Sequence, residues 1–125
     1  VAARPTTEPQ SVAAYRLLEQ GNHVIAFPLC AYTSVYYVLS RLLNKAAALD
    51  FLVQITKRGV RFLPFREDEM AVAVSLSLPD HEDACVAATA LLHKADFILT
   101  RDLKDFRRSP VSAVTPQKIR TRVGR

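Results

Sequence analysis

Apolar positions along this 125-residue chain follow two alternating spacings, one helical and one extended. Arg4 to Gln10 reads as a loop broken by Pro5 and Pro9. Val12, Tyr15 and Leu18 then recur at near-helical intervals within Ser11 to Gln20, and Gly21-Asn22 stops that run. His23 to Leu29 is a short apolar run rich in Val, Ile and Phe, which predicts a buried strand. Pro28 falls near its end, where a lost N–H matters least. Ala31 to Leu43 predicts a helix with Val35, Val38, Leu39, Leu42 and Leu43 inward. After a break at Asn44-Lys45, Ala46 to Lys57 predicts a second helix with Leu49, Leu52 and Val53 on one face, ended by Gly59. Val60 to Phe65 predicts a strand, and Glu67 to Leu76 a helix. Pro79 breaks the chain, and Asp80 opens a helix to about His93 with Ala84, Ala87, Ala88, Leu91 and Leu92 inward. Ala95 to Thr100 and Val111 to Val114 predict two further strands, and Pro116 precedes a terminal turn or helix.

Strands alternating with helices predict an α/β fold with a parallel sheet and right-handed crossovers. The length suits a single domain over residues 1–125. No internal repeat or low-complexity stretch interrupts it, and no apolar run reaches the roughly 18 residues of a membrane span. Cys30 and Cys85 sit in apolar runs, which suits free thiols in a reducing, cytoplasmic setting. Their spacing fits no zinc motif, and the isolated Gly21, Gly59 and Gly124 form no phosphate loop. A nucleophile elbow of the G-x-S-x-G kind is also missing.

Charge changes this picture near the C-terminus. The net charge is +5, with 17 Lys and Arg against 12 Asp and Glu. Arg101, Lys104, Arg107, Arg108, Lys118, Arg120, Arg122 and Arg125 stand in the last stretch against only Asp102 and Asp105, so the excess lies in a basic tail. Two readings follow: a polyanion partner such as nucleic acid, or a solvated basic tail.

Ligands of open parallel sheets bind beyond the carboxyl ends of strands, so the strand ending at Thr100 points Arg101 and Asp102 toward the expected site. Two acidic clusters lie in reach: Asp80-His81-Glu82-Asp83 at a helix start, and Asp102 with Asp105 after a strand. Carboxylates from separate elements can share Mg²⁺, which favours one or two carboxylates plus water and phosphate oxygens. The same residues also read as a helix N-cap with first-turn acids, and as loop carboxylates paired with Arg101 or Lys104.

The stretch Asp80-His81-Glu82-Asp83-Ala84, its Ala-rich continuation and Ala95-Asp96-Phe97-Ile98-Leu99-Thr100-Arg101-Asp102 resemble the PIN-domain family, as does Lys104-Asp105-Phe106. Val114-Thr115-Pro116 is similar to the family's closing segment, and Tyr36-Tyr37-Val38-Leu39 to a helix common in one subgroup. The resemblance runs from about Arg4 to Ile119, and the Asp80–Phe106 block is its specific part.

This resemblance implies a three-layer PIN-like fold, a parallel sheet flanked by helices. It implies a Mg²⁺- or Mn²⁺-dependent endoribonuclease like the VapC toxins of toxin–antitoxin pairs. Asp83, Asp102 and Asp105 would be the catalytic and metal-binding acids, with Glu82 assisting the metal. Thr100 would hydrogen-bond within the site, and Ser34 stands where a second acid usually lies. Arg101, Arg107 and Arg108 would hold the RNA backbone. Implied partners are RNA, a cognate antitoxin and a second copy of the chain. The family's opening strand, whose last residue is a metal-binding Asp, is not found before Arg4, so the domain is expected to be N-terminally incomplete. The alternative expectation is a catalytically inactive PIN-like module that binds RNA or a protein. A third is an unrelated α/β domain whose acids only cap helices.

Other residues carry weaker signals. Tyr15, Tyr32, Tyr36 and Tyr37 suit either base stacking or the core. His81 suits a proton shuttle or plain exposure, Phe106 suits packing, and His23 and His93 show no partner pattern.

Overall fold

The computed structural model describes Arg16, Gly21 and residues 23–123, the last four of these as backbone. The expected N-terminal loop and the helix over Ser11 to Gln20 lie outside the described residues, Arg16 apart. Strand β1 (Ala26–Pro28) closes on Pro28 and tightens into a 3-10 turn, Leu29–Ala31. Helix α1 (Tyr32–Leu42) and helix α2 (Lys45–Lys57) follow. Asn44 separates them by capping α2: its side-chain oxygen accepts from the Ala47 N–H at 2.8 Å. Gly59, at φ +77°, supplies the left-handed turn that leads into β2 (Arg61–Leu63). β2 runs parallel to β1, with Phe27 opposite Phe62.

The two helices cross back over this strand pair and bury one stripe each. Val35 and Leu39 of α1 meet Ala48, Leu52 and Ile55 of α2 above Phe27. Those spacings, i to i+4 and i+7, place the residues on one helix face. Leu42, Leu43, Leu49 and Val53 are exposed rather than inward, at 48–62%. Leu42 and Leu43 fall where α1 ends, and Leu49 and Val53 lie beside the buried stripe of α2.

The second half begins with helix α3 (Glu67–Ser75), followed by α4 (His81–Leu92) and strand β3 (Ile98–Leu99). A 3-10 turn (Leu103–Phe106), strand β4 (Ala113–Val114) and helix α5 (Pro116–Val123) complete it. β3 and β4 pair in parallel, with Ile98 opposite Ala113 and Leu99 opposite Val114. The expected parallel pairing is present, divided among the described residues into two two-stranded sheets. The strands are shorter than their apolar runs because the regular ladder spans only two or three residues. Single bonds extend it at the ends, from Arg61 N–H to the Ile25 carbonyl and from Thr100 N–H to the Val114 carbonyl.

Helix α4 joins the two halves. It packs along α3 and also meets β1, the first 3-10 turn and the second. Ala84, Ala87, Ala88 and Ala90 are buried on it, and their small side chains let neighbouring backbones approach closely. Leu91 and Leu92, expected inward, are 41% exposed because the packed face is the alanine face. Cys30 and Cys85 are free, half-buried thiols, as expected. Burial, with the neighbouring Cys85 next in weight, pushes the Cys30 thiol up to about 11. No helix among the described residues is long and apolar enough to cross a membrane.

Candidate active site

The candidate site lies where the start of α4 meets the chain leaving β3. Each local structure has a simple cause. Asp80 has an extended backbone and caps α4, its Oδ1 accepting from the Asp83 N–H at 2.9 Å. That capping bond fixes the first turn of α4 and with it the base of the Asp83 side chain. The capping reading of Asp80 is therefore realised, and it serves the site by orienting Asp83.

The β3 end is set by a ladder bond and a hydroxyl. Thr100 N–H donates to the Val114 carbonyl at 3.0 Å, continuing the parallel pairing one residue past β3. Thr100 Oγ1 then accepts from the Asp102 N–H, also at 3.0 Å, and turns the chain out of the sheet. The 3-10 turn that follows brings residues three apart onto one side. Asp102 and Asp105 have that spacing, and Asp105 is the acid on which the presence of Asp102 weighs most. Phe106 anchors the turn, buried among Ala87, Ala90, Ile98 and Val111. Its role is packing, as its sequence context indicates.

Electrostatics reports how these elements converge. Asp83 is pushed up to about 6, first by burial and then by the negative charge of Asp80, Asp105, Glu82 and Asp102. Asp105 is also raised, first by the hydrogen bond that its protonated form can donate to Asp102, then by burial and by the charge of Asp102 and Asp80; Lys104 opposes the shift. Acids twenty residues apart in sequence thus feel one another across the α4–β3 junction. Asp80, grouped in the sequence with the helix start, contributes to both shifts. Lys104, read from the sequence both as part of the basic tail and as a partner of the loop carboxylates, acts electrostatically on Asp105.

Ser34 and Glu82 form a separate pair: the Ser34 hydroxyl donates to Glu82 Oε1 at 2.5 Å, tying α1 to α4. Ser34 thus hands a hydroxyl to an acid on the neighbouring helix. Arg101, Arg107 and Arg108 are exposed on the chain beyond β3. His81 is exposed at the start of α4. Tyr32 and Tyr37 are 40% and 56% exposed, whereas Tyr36 packs against the core of the first half. Tyr15 lies outside the described residues.

His93 does have a partner. Its Nε2 faces Glu69 Oε1 at 3.1 Å, joining α4 to α3. Twenty-four residues separate the two, so no short sequence spacing reveals the pair.

The oxygen-only donor set of Asp83, Asp102 and Asp105 suits a hard cation such as Mg²⁺. Among the described residues, no three His, Cys, Asp or Glu side chains stand close enough to ligate one ion together. Mg²⁺ sites can take as few as one or two carboxylates, with the remaining positions left to water and phosphate oxygens.

Comparison with known proteins bears on this geometry. The structure is similar to a chain of VapBC2 from Rickettsia felis, solved bound to a DNA fragment from their promoter. The TM-score is 0.66 at 18% identity, covering 83% of each chain, and at that identity the likeness is one of fold. No curated protein matches the chain. A family model described as the PIN domain matches residues 4–104, which include β1 to β3 and both acidic elements up to Lys104. The α/β architecture with parallel strands and the span of that match lead to one conclusion: the chain belongs to the PIN-domain family.

Proposed function

We propose that this chain is a Mg²⁺- or Mn²⁺-dependent endoribonuclease, the toxin of a toxin–antitoxin pair acting in the cytoplasm. The convergence of Asp83, Asp102 and Asp105 at the α4–β3 junction carries the reading. The crowding that raises Asp83 is the electrostatic mark of acids arranged for use rather than for stability. Family membership supports RNA as the substrate. The fold shared with a chain of the VapBC2 assembly supports an antitoxin partner, and a homodimer is part of the same proposal.

In this reading Asp83 and Asp102 hold the cation, with Asp105 and Glu82 assisting. A bound divalent cation supplies Lewis acidity toward a phosphate oxygen and lowers the pKa of water. The chain's own residues do the rest. Thr100 fixes the backbone of Asp102, and Asp80 fixes that of Asp83. Asp105, raised chiefly by the neighbouring Asp102, keeps a proton more readily than an isolated carboxyl. Arg101, Arg107 and Arg108 bring positive charge beside acids that would otherwise repel a phosphate backbone.

The test is cleavage of a labelled single-stranded RNA with Mg²⁺ or Mn²⁺, against EDTA and an Asp83→Asn/Asp102→Asn variant. Cleavage that requires the metal and falls to background in the variant is expected. Equal behaviour of the variant and the parent chain overturns the proposal. One observation favours a second reading, a PIN-like module that binds RNA or a protein without cutting. No three potential ligands among the described residues reach one ion. That reading takes the lead if RNA binds, metal changes nothing, and no product forms.

A further inference from the structure

Two cysteines that the candidate site does not use come from opposite halves of the fold. Cys30 sits in the middle of the 3-10 turn Leu29–Ala31, directly after β1, and Cys85 in the second turn of α4. Both thiols are free and half-buried. That 3-10 turn packs on α4, as does β1. The same seam is closed further along by the Ser34 hydroxyl, which donates to Glu82 Oε1 at 2.5 Å. Cys30 stands four positions before Ser34, and Cys85 three positions after Glu82. Each thiol is thus one turn away from that bond, on its own side of the seam. Glu82, Cys85 and Thr89 are spaced i, i+3 and i+7, so they share the face of α4 that meets the turn. Cys30 responds to that face: after burial, the charge of Cys85 weighs most on its thiol, and Thr89 and Glu82 follow. Thr89 is 1% exposed, with its hydroxyl unpartnered among the described residues.

We propose that Cys30 and Cys85 form an oxidant-closed staple, a reversible disulfide that ties the turn after β1 to α4, with hydrogen peroxide as the oxidant. One peroxide and both thiols are consumed. One thiol takes an oxygen as the O–O bond breaks, which gives a sulfenic acid and water. The sulfur of the other thiol then displaces that oxygen, which forms the S–S bond and releases a second water. The two sulfurs together lose two electrons, and the peroxide gains them. The second stage is intramolecular, so it outruns further oxidation of the sulfenic acid. Thr89 offers its spare hydroxyl to this polar intermediate, which apolar surroundings would otherwise disfavour. The bond matters to the fold because the two halves are otherwise joined across this seam by packing on α4 and by the exposed Ser34–Glu82 hydrogen bond. A covalent link between positions 55 apart in the chain removes entropy from the unfolded state. Under oxidising conditions it holds the start of α4, with Asp80 and Asp83, against the first half. The staple does not depend on whether the acid cluster cuts RNA.

Thiol titration in denaturant and intact-mass spectrometry test this on the parent chain, first reduced, then given a small excess of hydrogen peroxide that catalase removes. The expected result is loss of both thiols and of two hydrogens per chain, with dithiothreitol restoring them. Proteolysis should then yield a peptide pair joining Cys30 to Cys85. A disulfide closes only where the Cα atoms come within about 7 Å, so its formation in the folded chain also tests the seam. The oxidised chain should melt roughly 10 °C above the reduced one, the scale for a long loop closed in a domain of this size. Cys30→Ser and Cys85→Ser variants should each melt at one temperature with or without peroxide; should either fold poorly, the mapping and melting of the parent chain decide alone. Four outcomes overturn the proposal: thiols that survive, sulfinic or sulfonic acid in place of the cross-link, a disulfide formed only between two chains, or an oxidised chain that melts no higher than the reduced one. An acid cluster without nuclease activity leaves all these readouts unchanged.

Discussion

Asp83 shows how one side chain can be costly to stability and useful to chemistry. Its carboxyl is raised from an ordinary 3.8 to about 6, by burial first and by four neighbouring acids after it. Between about pH 4 and 6 the folded chain therefore keeps a proton that the unfolded chain has released. Stability falls as pH rises through that window, and above it the whole cost remains. Replacing the charge should recover it. Asp83→Asn is expected to raise stability by roughly 0.5–1 kcal/mol at pH 7.5, a value reduced for the group's solvent exposure. The gain should fade to nothing below pH 4, where Asp83 is neutral in both states. Thermal melts at pH 3.5, 5 and 7.5 check this, and a gain of the same size at every pH contradicts it. Glu69 goes the other way. Burial pushes it up, but backbone N–H groups, including the one from Arg66 at 2.9 Å, and the facing His93 outweigh that and hold it below its ordinary range. Its contribution is present above about pH 4.5 and is lost as the pH falls through its lowered pKa.

Helix α4 carries more of the architecture than any other element, and both its ends are specified. Its start is capped by Asp80. Its end closes with the Ala95 N–H on the Ala90 carbonyl at 2.9 Å and the Lys94 N–H on the Leu91 carbonyl at 3.2 Å. This paired arrangement requires a left-handed residue, and Lys94 occupies it at φ 56°. A side chain with a Cβ is strained there, whereas glycine is not. Lys94→Gly is expected to stabilise the chain by about 0.5–1 kcal/mol, less than the full strain because glycine frees the unfolded chain. A denaturant midpoint that stays put or falls would show that the Lys94 side chain supports the turn. Within the helix, Thr89 is 1% exposed and its hydroxyl has no hydrogen-bond partner among the described residues. Such a group costs stability where a methyl would not.

Across the molecule, two strand pairs with separate apolar clusters are held together by α4. Its alanine face meets α3 on one side and Ile98, Phe106 and Val111 on the other. The Glu69–His93 contact adds a partly buried polar link between α3 and the far end of α4. This arrangement places the acid cluster at a junction of elements, where a bound cation would tie the α4 start to the β3 exit. Mg²⁺ should therefore raise the melting temperature. At ten times its Kd the stabilisation is about 1.4 kcal/mol, or a few degrees in Tm. The Asp83→Asn/Asp102→Asn variant should show no such rise. A wild-type chain indifferent to Mg²⁺ would count against the metal site and favour the binding module.

Much of this could be read from the linear order of residues. Helix positions followed from periodicity, and their ends from Asn44, Gly59, Pro79 and Asp80, because caps and breakers act over three or four residues. Parallel pairing followed from alternation. Asp83, Asp102 and Asp105 were singled out because a helix start and a strand end each carry a compact local pattern that resembles the PIN-domain family's. What lay beyond that order depended on contacts between distant segments. Leu42, Leu49 and Leu91 satisfy helical spacing yet stay exposed, since spacing marks an apolar side and only the packed neighbour selects the stripe that is buried. The His93–Glu69 pair and the tie from Ser34 to Glu82 each join segments 24 or more residues apart. Such pairings have no local signature, because burial, charge and distance between elements arise only once the chain has closed on itself.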